Sequence, residues 1–309
     1  FLKSVLIVEN PQLLPILPGT HQKIVMEDTE GFSFDLFHAN NQHFIRHNTL
    51  TKYSGITAMM EDITIHFEES VAPEDRTALI MIEGLPGIGH VGKLVTEHII
   101  HELGAVRIAE INSIYLPPQV IIQEGGVVRL CNNEIYRYSG EKGSFLFLIG
   151  DFQSTSGEGH YLLSKAYVDI CHQLGVRRIY TLGGYGVGHF NEVTRVIAAV
   201  NHEDLRKPVE EAGGIFSEGE PGGGIIGAAG LMLGLSRPLG MEGICLMGET
   251  SGYLVDPKSA ATVLSVLTKL LGIEIDDAKL TERAGEMELA LQKLLEQEKK
   301  SEEELSYIG

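Results

Sequence analysis

Ala78-Leu79-Ile80-Met81-Ile82-Glu83-Gly84-Leu85-Pro86-Gly87-Ile88-Gly89-His90-Val91-Gly92-Lys93 decides the fold class. Ala78–Glu83 is a nearly unbroken apolar run of strand length, as a strand buried on both faces requires. Gly84-Leu85-Pro86-Gly87 turns it sharply. Val91, Leu94, Val95, His98, Ile99 and Leu103 then recur at helical spacing on one stripe, and Gly104 ends the helix.

The same grammar repeats downstream. Ile63–Phe67 and Val106–Ile114 read as strands, and Gln119–Ile122 with Val127–Leu130 reads as a hairpin around Gln123-Glu124-Gly125-Gly126. Ile135–Tyr138 and Phe145–Ile149 follow as strands, then a helix over Gly159–Leu174 stopped by Gly175. Arg178–Leu182 is a strand leading into the glycine-rich turn Gly183–Gly188. Val196–Val200 is strand-like, Asn201–Glu211 a short helix, and Gly222–Leu235 a glycine-rich entry to an apolar helix. Gly243–Met247 is a strand, and Asp256 caps a helix over Lys258–Leu271, with Pro257 suited to its first turn. Strands alternating with helices predict an α/β fold: three layers, α/β/α, around a largely parallel mixed sheet with an antiparallel insertion.

The chain has 309 residues, 43% hydrophobic and 21% charged, which is the composition of a folded protein with a substantial core. Its net charge of −18 argues against a nucleic-acid partner, which calls for a basic face, and suits a basic protein partner. No apolar run is long enough to span a bilayer. Cys131, Cys171 and Cys245 are far apart in apolar surroundings, so buried free thiols in a reducing, cytoplasmic compartment are expected.

Two segments differ from this body. Residues 1–58 begin with Phe1, are rich in His, Asn and Gln, and show weak periodicity. Met59-Met60 then precede the strand at Ile63, so residues 1–58 are read as an extension and 59–275 as the α/β domain. At the other end, residues 276–309 form a charged helix, Asp276–Lys300, and a tail. Leu280, Ala284, Met287, Leu291 and Leu294 draw one narrow apolar seam. That seam suits a short coiled coil, a groove on another protein, or a helix lying back on its own domain. The acidic stretch Ser301–Glu304 ends in Leu305-Ser306-Tyr307-Ile308-Gly309, either an aromatic tip suited to a pocket on a partner or a frayed end packing loosely on its own domain.

Four places could carry chemistry. Gly87–Lys93 approaches a phosphate-cradling loop, but Leu94 stands where a magnesium-holding hydroxyl belongs. Close strand-to-helix packing is the better reading of its glycines. Gly183–Gly188 could line a ligand crevice, with His189 as acid or base, but has no matched nucleophile. Glu218 and Glu220 lack a third metal ligand. Glu249, Thr250 and Ser251 either brace a loop or bind something small. No catalytic residue, cofactor site or metal site is expected from these sets.

Glu83–Gly92, Thr181-Leu182-Gly183-Gly184-Tyr185 and Gly248-Glu249-Thr250-Ser251-Gly252-Tyr253-Leu254-Val255-Asp256-Pro257 together resemble the archaeal proteasome assembly chaperone family, related to the second eukaryotic proteasome assembling chaperone. The resemblance runs from about Ile63 to the C-terminus. It implies a nucleoside-phosphorylase-like three-layer domain without that enzyme's active site, homo-oligomers, and help in building the 20S proteasome α-ring. An older label for the family, predicted ATP-grasp enzyme, finds no matching nucleotide and metal residues here.

The resemblance also implies a C-terminal tail that enters pockets between proteasome α-subunits. The matching residues are Leu305, Tyr307, Ile308 and Gly309. Tyr307 stands third from the end and follows Ser306, a departure that puts the carboxylate one residue farther from the ring than the family motif does.

The expected function is therefore a non-enzymatic, cytoplasmic assembly chaperone that binds α-subunits through its tail. The alternative is a nucleotide- or nucleoside-binding enzyme using Gly87–Lys93 or Gly183–Gly188. A chaperone for a different complex is a third reading. If the native protein starts at Met59 or Met60, mass spectrometry of it will detect no peptide upstream of Met59.

Overall fold

A computed structural model describes residues 62–68, 79–189, 194–219, 222–282 and 284–286, and the backbone of four strands within residues 5–47. Those four, β1 (Val5–Ile7), β2 (Lys23–Glu27), β3 (Ser33–Ala39) and β4 (Gln42–His47), form their own sheet in the order β1-β2-β3-β4.

The body follows as β5 (Ile63–Phe67), β6 (Ile80–Glu83), α1 (Val91–Leu103), β7 (Val106–Ser113), β8 (Val120–Ile122), β9 (Val128–Leu130), β10 (Asn133–Gly140), β11 (Gly143–Gly150), α2 (Gly157–Leu174), β12 (Arg178–Gly186), β13 (Val196–Val200), α3 (Arg206–Ala212), α4 (Ala228–Ser236), β14 (Glu242–Thr250) and α5 (Pro257–Leu271). Eight strands make one sheet in the order β13-β14-β12-β6-β11-β10-β7-β5. The central four, β14, β12, β6 and β11, run parallel. Antiparallel strands flank them: β13 on one side, β10, β7 and β5 on the other. β8 and β9 form a separate two-stranded ribbon.

Side chains alternate across the sheet, and each face builds its own core. Met81, Leu146, Leu148 and Ile179 point to one face, where they pack with α2 and α4 residues such as Tyr167, Cys171 and Met232. Ile82, Phe145, Phe147, Tyr180 and Leu182 point to the other, against Val91, Val95 and Ile99 of α1, Val209 of α3, and Val263 and Leu267 of α5. Both faces are covered, which is why the central strands read as continuous apolar runs.

Three expected boundaries move. β12 does not stop at Leu182 but continues through the glycines to Gly186, and β14 continues past Met247 to Thr250. The two pair in parallel along their whole length, from Arg178 opposite Glu242 to Gly186 opposite Thr250. Backbone ladder bonds are indifferent to a missing side chain, so tertiary pairing overrides the turn signal. α4 begins at Ala228 after its glycine-rich entry, as read, with Gly227 at its N-cap at φ +88°. The chain after Val200 turns first through a 3-10 stretch, Glu203–Leu205, before α3.

The caps behave as read. Gly104 closes α1 with a left-handed φ of 65°. Asp256 Oδ1 accepts a hydrogen bond from Ser259 N at 2.9 Å, with Pro257 in the first turn of α5. Asp256→Ala removes that acceptor and is expected to cost about 1 kcal/mol, seen as a lower denaturation midpoint with an unchanged m-value.

Candidate functional site

Strands β6, β11, β12 and β14 all end on the same edge of the sheet, the edge where open α/β folds usually hold ligands. The three sequence motifs meet there. Gly84 leaves β6 so close to α1 that an added Cβ would collide with the Thr96 side chain and the Gly92 carbonyl. Gly92, in the first turn of α1, faces the Leu182 carbonyl of β12 with no room for a side chain. Gly184 likewise abuts the Ile88 carbonyl. Gly89, with φ +63°, lies against Thr250, and its carbonyl accepts a hydrogen bond from Asp256 N at 2.9 Å. Val187 N donates to Thr250 O at 2.9 Å. The loops after β6, β12 and β14 thus lock into one another.

These contacts bring backbone against backbone at the edge, while Ile88 and Tyr253 of the same loops remain exposed. Gly89 and Gly92 serve close packing, as their sequence context suggested, whereas Gly87 has room for a side chain. Lys93, which a phosphate loop would turn toward its ligand, instead donates to Gly150 O at the end of β11 (3.1 Å) and lies 3.6 Å from Glu97. His90 opens α1 with a left-handed φ of 52°, an uncommon conformation for a residue with a side chain. Gln153, which no sequence signal singled out, staples two loops: Nε2 donates to Pro86 O at 2.9 Å, and Oε1 accepts from Ala228 N at 3.0 Å.

Two buried glutamates mark the strand ends. Glu249 of β14 pairs with Arg195 just before β13: Arg195 Nε is 2.9 Å from Oε1, and Arg195 N is 3.2 Å from Oε2. Of the two readings of Glu249, bracing is the one its contacts serve. Ser251 and Thr250 accept from the Tyr253 and Gly252 amides within their own turn. Glu83 ends β6 with only 1% of its surface exposed. Its Oε1 accepts from Leu85 N at 2.8 Å, and its Oε2 meets no donor among the described residues. Burial pushes this carboxyl up to about 8, against the lowering pull of the Leu85 and Leu182 amides. That direction favours the protonated carboxyl near neutral pH.

The other candidates are dispersed. His189 is exposed, with Nδ1 2.9 Å from Val187 O in its own turn. Glu218 is described but Glu220 lies outside the described residues. Among the described residues no group of three or more His, Cys, Asp and Glu could hold a metal ion, and no helix is long and apolar enough to cross a membrane. Cys131, Cys171 and Cys245 are free and buried, and burial pushes the Cys245 thiol up to about 12.

Leu305, Tyr307, Ile308 and Gly309 lie outside the described residues, as do Met287, Leu291 and Leu294 of the apolar seam. The start of the C-terminal segment is described, and it lies on the body. Residues 278–282 and 284–286 are helical, and Leu280 is buried in the core shared with α1 and α5. His98 Nε2 is 2.5 Å from Asp276 O, Lys142 Nζ donates to Glu274 O at 2.6 Å, and Lys279 Nζ is 2.8 Å from Glu102 Oε1. For this first part, the segment packs back rather than projecting from Asp276.

Comparison with known proteins returns a consistent set of relatives. The PAC2 family profile matches residues 81–295. The uncharacterized protein MJ1210 of Methanocaldococcus jannaschii is 40% identical over 240 residues, 74% of this chain and 92% of that protein. The crystal structure of Pyrococcus furiosus PbaB, an archaeal proteasome activator, superposes with a TM-score of 0.71 at 42% identity, covering 76% of this chain and 99% of PbaB. That of P. furiosus PbaA, an archaeal homolog of proteasome-assembly chaperone, gives 0.64 at 25% identity, covering 80% and 97%.

Glu83 supplies a pH test. Its carboxyl ionises near pH 4.5 when unfolded and near 8 when folded. Below the lower value both states hold the proton. Between the two only the folded state does, so stability falls as pH rises, by up to about 1.4 kcal/mol per pH unit. Glu83→Gln has no such proton, so its stability relative to the parent should rise from pH 5 to pH 8. Urea unfolding at both pH values checks this, and an equal difference at each would mean Glu83 is already ionised in the fold.

Proposed function

The chain belongs to the PAC2 family, and from that premise we propose that it is a non-enzymatic, cytoplasmic proteasome assembly chaperone. It binds 20S proteasome α-subunits through its C-terminal tail and assists the building of their ring. The body acts as a self-associating scaffold, and Leu305, Tyr307, Ile308 and Gly309 make the contact. Tyr307 would bury its ring while its hydroxyl finds a polar partner.

The observation that carries this reading is the interlock of the three motif loops. In a ligand-binding α/β protein the strand-end edge is left open for substrate. Here Gly84, Gly92 and Gly184 bring backbone into close contact across it, and Lys93 is held by Gly150 O and Glu97. Residues that resemble a nucleotide loop in sequence are used for packing, which leaves the surface and the tail to carry function. The likeness to PbaA supports assembly, and the net charge of −18 suits a partner with basic pockets.

The greater identity with PbaB favours a second reading, in which the same α-subunit contact activates an assembled proteasome. Both readings use the tail and differ in when it engages. A single tail binds weakly because ordering it costs entropy, and several tails on one oligomer raise the avidity by effective concentration.

Deleting Tyr307–Gly309 should strongly reduce capture of α-subunits while leaving the oligomer mass unchanged. Undiminished capture rejects tail docking. Peptide hydrolysis by preassembled 20S particles, raised by the intact chain and not by the truncated one, would select activation over assembly. Nucleotide should leave the melting temperature of both the parent and Lys93→Ala unmoved, whereas stabilisation of the parent alone would revive the enzyme reading.

A further inference from the structure

The ribbon β8–β9 carries its chemistry inside out. Val120 pairs with Leu130, Ile121 with Arg129, and Ile122 with Val128. The two-residue period puts Val120, Ile122, Val128 and Leu130 on one face and Ile121 and Arg129 on the other. The charged face is the one turned toward the body. Arg129 grips Asp151 with both nitrogens, Nη1 to Oδ2 at 2.6 Å and Nη2 to Oδ1 at 2.9 Å, while Ile121 packs on the core beneath α2. Burial works to raise the Asp151 carboxyl, but the Arg129 guanidinium holds it below its ordinary value. The face turned to solvent is wholly apolar. Ile122 is 73% exposed, and Val127 at the turn is 61% exposed. Scattered exposed hydrophobes need no explanation, but a contiguous group does.

We infer that the outer face of this ribbon is the surface through which one copy of the chain meets a second copy. The inference rests on the reading above that the body self-associates, and it names the surface. Charge selects the occupant. Identical chains of net charge −18 repel wherever their acidic surfaces approach. The ribbon's outer face has no ionisable group; its one acid, Glu124, is in the turn, and Arg129 is committed to Asp151. A basic partner would gain nothing from a neutral face, whereas another acidic copy avoids like-charge contact by meeting there. Short aliphatic side chains in paired rows also form a flat surface that can match itself, as a two-fold contact requires. The bidentate Arg129–Asp151 pair fixes the ribbon before contact, so association does not have to order it.

Ile122→Lys and Val128→Lys each place a charge on this face while leaving the inner face intact. In the full-length protein each should weaken self-association about tenfold or more, read as a lower mass by sedimentation. Tyr161→Lys, at an equally exposed apolar residue on α2, should leave the mass unchanged. Amide exchange of residues 120–130 in the unaltered protein should be slower at high concentration than after dilution, which tests the surface without a substitution. A parent that stays monomeric at all concentrations overturns self-association itself. An oligomeric parent whose lysine variants keep their mass, and whose ribbon amides ignore dilution, overturns only the ribbon. Variants that keep their mass but lose capture of α-subunits would assign the ribbon to that partner instead.

Discussion

The contact on which the rest of the molecule depends is backbone against backbone at three glycines. Gly84, Gly92 and Gly184 bring the first turn of α1 against the ends of β6 and β12 at distances no side chain would permit. This sets α1 low on the sheet. From there Val91, Val95 and Ile99 reach the core beside Phe147 and Leu182. It also carries the loop after β14 into the same contact through Gly89 and Thr250. The packing that seats α1 is therefore also the packing that ties the three motif loops together.

Glu83 and Glu249 show two solutions to a carboxylate at that edge. Glu249 is met by Arg195, whose guanidinium and amide both reach it. Glu83 accepts from the Leu85 amide and, among the described residues, meets no cation, so burial raises its carboxyl to about 8. A neutral carboxyl can still accept from Leu85 N, which holds the turn after β6 in place. The unmet Oε2 remains a local cost that the surrounding packing must outweigh.

Much of this was legible in the sequence, and the parts that were not have physical reasons. Apolar runs such as Ile80–Ile82 and Phe145–Ile149 gave their strands away because both sheet faces are covered. Asp256, Gly104 and Gly175 announced helix ends through local chemistry alone. The ends of β12 and β14 were hidden because Gly183–Gly186 and Gly248–Thr250 look like turns until each strand finds the other. The convergence of the three motifs is a long-range fact that no local pattern encodes. Arg195 and Gln153 were invisible for the same reason: their partners, Glu249, Pro86 and Ala228, are remote in the chain. The hairpin at 119–130 was readable, but which of its faces turns outward was not. Alternation marks two faces without saying which one the body claims, and Asp151 with the core contact of Ile121 decides it.

The three thiols have a consequence of their own. Cys171 lies in α2 and Cys245 in β14, so they sit in different layers, while Cys131 lies at the foot of the ribbon with its Sγ 3.4 Å from Gln119 O. Burial raises all three and keeps them as poorly nucleophilic thiols. An alkylating reagent therefore has nothing to attack until some part of the molecule opens. The order in which the three positions become labelled would report, without any introduced probe, whether the ribbon's base loosens before the layers of the body come apart.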